Sequence, residues 1–341
     1  MANQNIRIPR FYTDITAYLL SKGMTFSTNI ALRPTGSGFL ADLTTGSTEE
    51  LFDLRPLNKV TFDTKNNQSS KIVLNINTST FKKDFVAILN HNMKSADAKV
   101  LIKSSDTLSR VQSIDMTNAT LLSSASEIVN ADSIASSVIT PDTDGHTIIE
   151  FGETDDRYFG LQFQGTDSND FDDDDNLFIG CILVGEKYSM PFAPDLTLTR
   201  SIEFDKVTQF ESLGGQRFST MTSFGRRSTT TTKSPFNTES FANKQYGGRT
   251  IIDMNFSYMD STDIMPNEVD GQNLSDDAVM EDVWNRTNGP HLPFIFSVDN
   301  ASIGNNAEAD HLFARFGQSG LKHTQVAPDV FNLAMRIEEE F

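Results

Sequence analysis

Leu196-Thr197-Leu198-Thr199-Arg200-Ser201-Ile202-Glu203-Phe204 sets apolar side chains at 196, 198, 202 and 204 against polar ones at 197, 199, 201 and 203. A period of two sends alternate side chains to opposite faces of an extended chain, so this stretch predicts a strand. The same alternation recurs in Val60-Thr61-Phe62-Asp63, Lys71-Ile72-Val73-Leu74-Asn75-Ile76 and Ala98-Lys99-Val100-Leu101-Ile102-Lys103. It returns at Thr147-Ile148-Ile149-Glu150-Phe151, at Tyr158-Phe159-Gly160-Leu161-Gln162-Phe163 and over 249–259. Residues 177–186 form a continuous apolar strand, and 293–299, 311–316 and 330–339 close the chain as strands. The fold class this predicts is all-β, with two β-sandwich or jelly-roll-like domains, an N-terminal arm and one or two short helices.

Composition agrees. Phe is plentiful at 26, against one Trp and six Tyr, as expected where many strands each turn one ring inward. A chain of 341 residues that is 38% hydrophobic and 22% charged can bury cores in two domains of ordinary size. The net charge of −18 disfavours binding to a nucleic-acid backbone or an anionic membrane. Cys181 is the only cysteine, so no intramolecular disulfide or cysteine metal site can form. It lies in the apolar run 178–184 and is expected to be an inert buried thiol. No stretch reaches the ~18 apolar residues of a membrane helix, and residues 1–10 lack an apolar leader region. Synthesis in the cytoplasm follows as the expectation.

Punctuation divides the chain. Residues 1–24 are expected to be an arm with a short helix that Asp14 caps and Gly23 ends, packed on its own domain or docked on a neighbour. Residues 25–190 make the first β-domain, up to the break at Pro191 and Pro194, and 191–341 make the second. Long polar loops are expected over 104–146, with a short helix near 124–130. A second helix is expected over 276–284, capped by Asp276 or Asp277.

Two local features carry candidate sites. The loop Asp167-Ser168-Asn169-Asp170-Phe171-Asp172-Asp173-Asp174-Asp175-Asn176 concentrates hard oxygen ligands. Asp167, Asp170, Asp172 and Asp174 are the candidate calcium ligands, although the spacing does not fit an EF-hand; a solvated charged turn is the other reading. Residues 195–250 hold eight Lys or Arg against five acids in an otherwise acidic chain. Arg226, Arg227, Lys233 and Arg249 are therefore candidates for an interface with an acidic neighbour, against the simpler reading of a solvated hairpin. His91 lacks any accompanying nucleophile or metal motif and is expected to hydrogen-bond a loop backbone. No phosphate-binding glycine loop and no catalytic constellation occurs, so no enzyme activity and no cofactor beyond calcium is expected.

The stretch Phe85-Val86-Ala87-Ile88-Leu89-Asn90-His91-Asn92-Met93, followed by 96–102, resembles phage tail proteins, where an apolar strand ends in His-Asn before a turn and a second strand. Arg157 to Phe163 with Ile179 to Gly185 resembles the last strands of a discoidin-like (galactose-binding-like) jelly roll. Met190-Pro191, Arg200-Ser201, Gly214-Gly215-Gln216-Arg217-Phe218, 293–299, Ala314-Arg315-Phe316 and Glu338-Glu339 continue the tail-protein likeness. The resemblance implies a tail-tip or baseplate subunit similar to distal tail proteins. Such a subunit would form a homo-oligomeric ring, contact other tail proteins and reside in the virion. The order differs from the usual distal tail layout, which places the ring domain first. The competing readings are a module binding a host-surface glycan or receptor through jelly-roll loops, a head decoration protein, and a glycan-degrading enzyme. An exposed aromatic cluster near 30–40 or 104–146 would favour the first of these, and those segments contain only Phe39.

Overall fold

The computed structural model describes residues 7–26, 31–32, 43–62, 69–75, 81–113, 116–130, 133–135, 137–165, 177–203, 207–221, 249–266, 278–304 and 307–340. Within them the chain is all-β, as the alternation predicts. An antiparallel sheet of eleven strands dominates. From one end it runs Thr199–Glu203, Arg249–Asp260, Val330–Glu339, His311–Phe316, Phe294–Ser297 and Arg10–Asp14. It continues through Cys181–Ser189, Lys83–His91, Gly145–Thr154 and Ser126–Val129, while Lys322–Ala327 branches off Val330–Glu339. A second sheet of seven strands is built around Ala98–Ser105, Tyr158–Gly165 and Ser69–Asn75.

The two sheets pack face to face over the first half of the chain. Val86, Ile88, Ile149, Ile182 and Val184 from the large sheet meet Ile72, Leu74, Val100, Ile102 and Phe163 from the small one. Apolar residues two apart on each strand supply this layer, so the period of two becomes the sandwich core. Over the second half, Phe256, Phe294, Phe296 and Met335 form another core, covered by Ile264, Val279 and Val283. The opposite face of the sheet buries Phe85, Leu89, Ile148, Cys181 and Phe313.

The N-terminal segment is a central strand. Arg10–Asp14 pairs with Cys181–Ser189 on one side and Phe294–Ser297 on the other, joining the two halves into one sheet across the break at Pro191 and Pro194. Phe11 drives this insertion: it is fully buried, with its ring 5.1 Å from Phe296 and 5.6 Å from Phe294. Asp14 then caps the helix Ile15–Ser21 as expected, its carboxylate accepting from the Ala17 N–H at 2.7 Å and the Val184 N–H at 3.0 Å. Burial pushes its carboxyl up to about 7.

One helix expectation is corrected, and the other is met by a helix of wider turn. Ser126–Val129 is a strand rather than a helix, because it completes the sheet beside Gly145–Thr154. The second-half helix is present as a π-helix, Val279–Asn285, entered from Ala278; Asp276 and Asp277 lie outside the described residues. Its Asp282 carboxylate turns back to accept from the Ala278 N–H at 2.9 Å, closing the first turn from within.

Candidate functional site

The candidate calcium ligands Asp167, Asp170, Asp172 and Asp174 lie outside the described residues, as do the candidate interface residues Arg226, Arg227 and Lys233. Arg249 is described. It opens Arg249–Asp260, half-buried and opposite Glu203 of the edge strand. Among the described residues, no group of three or more His, Cys, Asp or Glu is placed to hold a metal ion.

The conspicuous surface feature lies next to that edge strand. Val207–Glu211 and Arg217–Met221 pair as a two-stranded ribbon that joins neither large sheet. Its turn is closed by Ser212, whose carbonyl accepts from the Gly215 N–H at 2.8 Å and whose N–H donates to the Gln216 carbonyl at 2.8 Å. Gly215 takes φ +81°, where a side chain would be strained, so the Gly-Gly pair specifies the turn. Phe210 and Phe218 stack across the ribbon with centroids 5.3 Å apart, yet they are 55% and 41% exposed. Leu213 at the tip is wholly exposed. Arg217 donates to Glu211 at 3.2 Å, an exposed pair worth only about 0–1 kcal/mol.

Sequence reasoning pointed to the basic residues of this region and passed over Phe210, Leu213 and Phe218. The available signal was Gly214-Gly215 lying between two phenylalanines that face one another once the turn closes. The neighbouring strand Thr199–Glu203 ends the large sheet. Every residue of it is exposed, including Ile202, whereas Leu198 just before it packs against the second core, and Phe204 lies outside the described residues. Among the described residues no strand pairs with its outer edge, the kind of edge to which a further strand can add.

Two buried polar clusters lie elsewhere. Glu150 is a hub: one carboxylate oxygen accepts from Arg10 Nη1 at 2.5 Å and the Tyr12 hydroxyl at 2.9 Å, and the other from Lys187 Nζ at 2.9 Å. Asp84 accepts from the Lys187 N–H at 2.8 Å, and burial pushes its carboxyl up to about 7. Glu186 sits 3.7 Å from Arg286, but burial and the neighbouring Asp282 push it up to about 8. The Glu150 contacts join the N-terminal strand to the first half of the sheet, and the Glu186–Arg286 pair ties Cys181–Ser189 to the end of Val279–Asn285.

The second cluster contains three buried histidines. His91 Nδ1 accepts from the Met93 N–H at 3.2 Å, the loop-backbone bond expected for it, and Nε2 lies 3.0 Å from Thr147 Oγ1. Thr147 uses its own proton on the Asn130 carbonyl at 3.0 Å, so His91 is neutral with its proton on Nε2. Burial lowers its pKa to about 4 and also lowers those of His146 and His311. Cys181 is fully buried and its thiol is pushed up by burial.

No protein-family model matches the chain, and no curated protein matches it. A solved structure that does match is a chitosan-binding module 1 derived from a chitosanase/glucanase from Paenibacillus sp. IK-5. It is 16% identical, covers 48% of this chain and 99% of the module, and superposes with a TM-score of 0.29. A likeness of that size carries no argument about this chain.

Proposed function

We propose that the protein is a structural subunit that assembles with further copies of itself. The ribbon Val207–Met221 and the edge strand Thr199–Glu203 form the contact between copies. The observation that carries this reading is the projecting ribbon with Phe210, Leu213 and Phe218 in solvent. A lone two-stranded ribbon is at best marginally stable in water, and clustered exposed apolar side chains mark a surface that meets a partner.

Charge argues for a second copy as that partner. Residues 222–248 contain Arg226, Arg227, Lys233 and Lys244 against Glu239 alone, a local balance of +3 in a chain of −18. Another copy therefore presents the acidic complement, and strand addition along the bare edge supplies the backbone pairing. Repeated head-to-tail contacts of this kind form a ring where the rotation between copies closes. The resemblance to distal tail proteins supports the tail tip or baseplate of a tailed phage as the setting, with other tail proteins as neighbours.

Size-exclusion chromatography with light scattering tests the assembly. The parent is expected at a whole multiple of the chain mass, and Phe210→Ser with Leu213→Asp and Phe218→Ser at a single chain mass with unchanged circular dichroism and melting temperature. A parent that stays monomeric at high micromolar concentration, or a triple variant that keeps the parent's mass, refutes the reading.

A further inference from the structure

A trough of about 370 Å³ crosses the solvent face of the second half, where Arg249–Asp260, Val330–Glu339 and Lys322–Ala327 lie side by side. Asn255, Ala334 and Lys322 form one row across the three strands, because Asn255 pairs with Ala334 and Ala334 with Lys322. The small side chain of Ala334 leaves a dip between two long polar ones. Thr324 and Asn332 face each other in the next row. Asp195 closes one end: its N–H donates to the Asn255 carbonyl at 2.8 Å, and one carboxylate oxygen accepts from Ser257 Oγ at 2.7 Å. Asn255, Lys322 and Thr324 make no side-chain hydrogen bond with any described residue, so their polar atoms face the trough and solvent.

Tyr258 follows Ser257 and lies opposite Asn332, both of which line the trough. Ser257 and Tyr258 together oppose the single Asn332, a bulge that puts Tyr258 at φ +64° with its N–H 3.4 Å from Asn332 Oδ1. That backbone region suits Gly or Asn and strains a bulky residue. The tyrosine is 78% exposed, so packing does not account for its presence there. Strain of this kind gathers at binding sites, where a bulge aims a side chain that the regular strand would point elsewhere.

We infer that this trough binds a neutral carbohydrate, with a pyranose ring laid against Tyr258 and its hydroxyls held by Asp195, Asn255, Lys322, Thr324 and Asn332. The amides and the threonine hydroxyl each donate and accept, matching hydroxyl groups that do the same. One cation and one carboxylate leave the lining formally neutral, so neither a phosphate nor a polyanion is matched. The exposed aromatic ring offers a flat apolar surface beside these polar groups, the combination small-molecule sites use, and the volume lies within their range of roughly 300–1,000 Å³. The inference stands apart from the ribbon contact and does not require it.

Saturation-transfer NMR tests it on the full chain, with the trisaccharides of β-1,4-glucose, α-1,4-glucose, β-1,4-N-acetylglucosamine and α-1,2-mannose, and with methyl galactoside and methyl rhamnoside. At least one is expected to receive saturation. Tyr258→Gly should abolish that transfer while raising the melting temperature, since it relieves the backbone. Thr324→Val, which keeps shape and removes the hydroxyl, should weaken binding about tenfold with no change in melting. No transfer to any of the six sugars overturns the proposal. So does a Tyr258→Gly variant that melts lower than the parent or still binds. Light scattering on the same samples separates this from the assembly reading: if Tyr258→Gly changes the oligomer mass, the trough is a protein contact and the carbohydrate assignment falls.

Discussion

Replacing Gly185 by Ala tests whether the N-terminal strand is what makes the two halves one structure. Gly185 lies in Cys181–Ser189 opposite Asp14, and a Cβ there would sit 1.9 Å from the Thr13 carbonyl oxygen. That is 1.5 Å inside the 3.4 Å where ordinary contact begins, and the obstructing atom is backbone rather than a mobile side-chain end. Strands in a sheet are spaced by about 4.8 Å, so Arg10–Asp14 cannot retreat by that much and keep its hydrogen bonds. The bond that the Val184 N–H donates to the Asp14 carboxylate, 3.0 Å long, lies at the same spot and is disrupted with it. Overpacking costs about 1–3 kcal/mol and each lost bond about 1 kcal/mol, giving about 3 kcal/mol in all.

Urea unfolding followed by two probes gives the assay. Far-UV circular dichroism reports both halves, while fluorescence of Trp284, the only tryptophan, reports the second half alone. Both transitions are expected to shift together, because the strand that Gly185 receives also pairs with Phe294–Ser297. Gly320→Ala, where nothing lies within 4 Å, is the matched control and should leave both unchanged. A Trp284 transition that stays in place while the circular dichroism shifts would show two independent domains and refute the bridging role.

Glu150→Ala strips the shared acceptor from Arg10, Tyr12 and Lys187 and should destabilise by about 3 kcal/mol in thermal or urea unfolding, the low end for a buried pair because Lys187 is partly exposed. A loss under 1 kcal/mol would show that solvent replaces those contacts. Glu186 holds its proton up to about pH 8 when folded but only to its ordinary 4.5 when unfolded, so it withdraws stability as pH rises between those values. Glu186→Gln should therefore match the parent near pH 4 and gain on it steadily up to pH 8; parallel stability curves across that window would contradict the assignment.

The alternation at 60–63, 71–76, 98–103 and 158–163 was enough to determine an all-β chain with a sandwich in its first half. Period-two burial is a local property of an extended backbone, and each strand declares its own inward face. The Asp14 cap was legible for the same reason, since cap and helix are neighbours in sequence. Strand partners are not local. Nothing in Arg10-Phe11-Tyr12 announces that it will sit between residues 181–189 and 294–297, because that pairing depends on the shape of two distant hydrophobic surfaces. The helix expected near 124–130 became a strand because an open position beside Gly145–Thr154 outweighed weak local preference. Exposure was equally hidden. Leu213 and Phe218 look in the sequence like any other apolar residues, and only the tertiary arrangement leaves them in water, because no second layer among the described residues covers the ribbon that carries them.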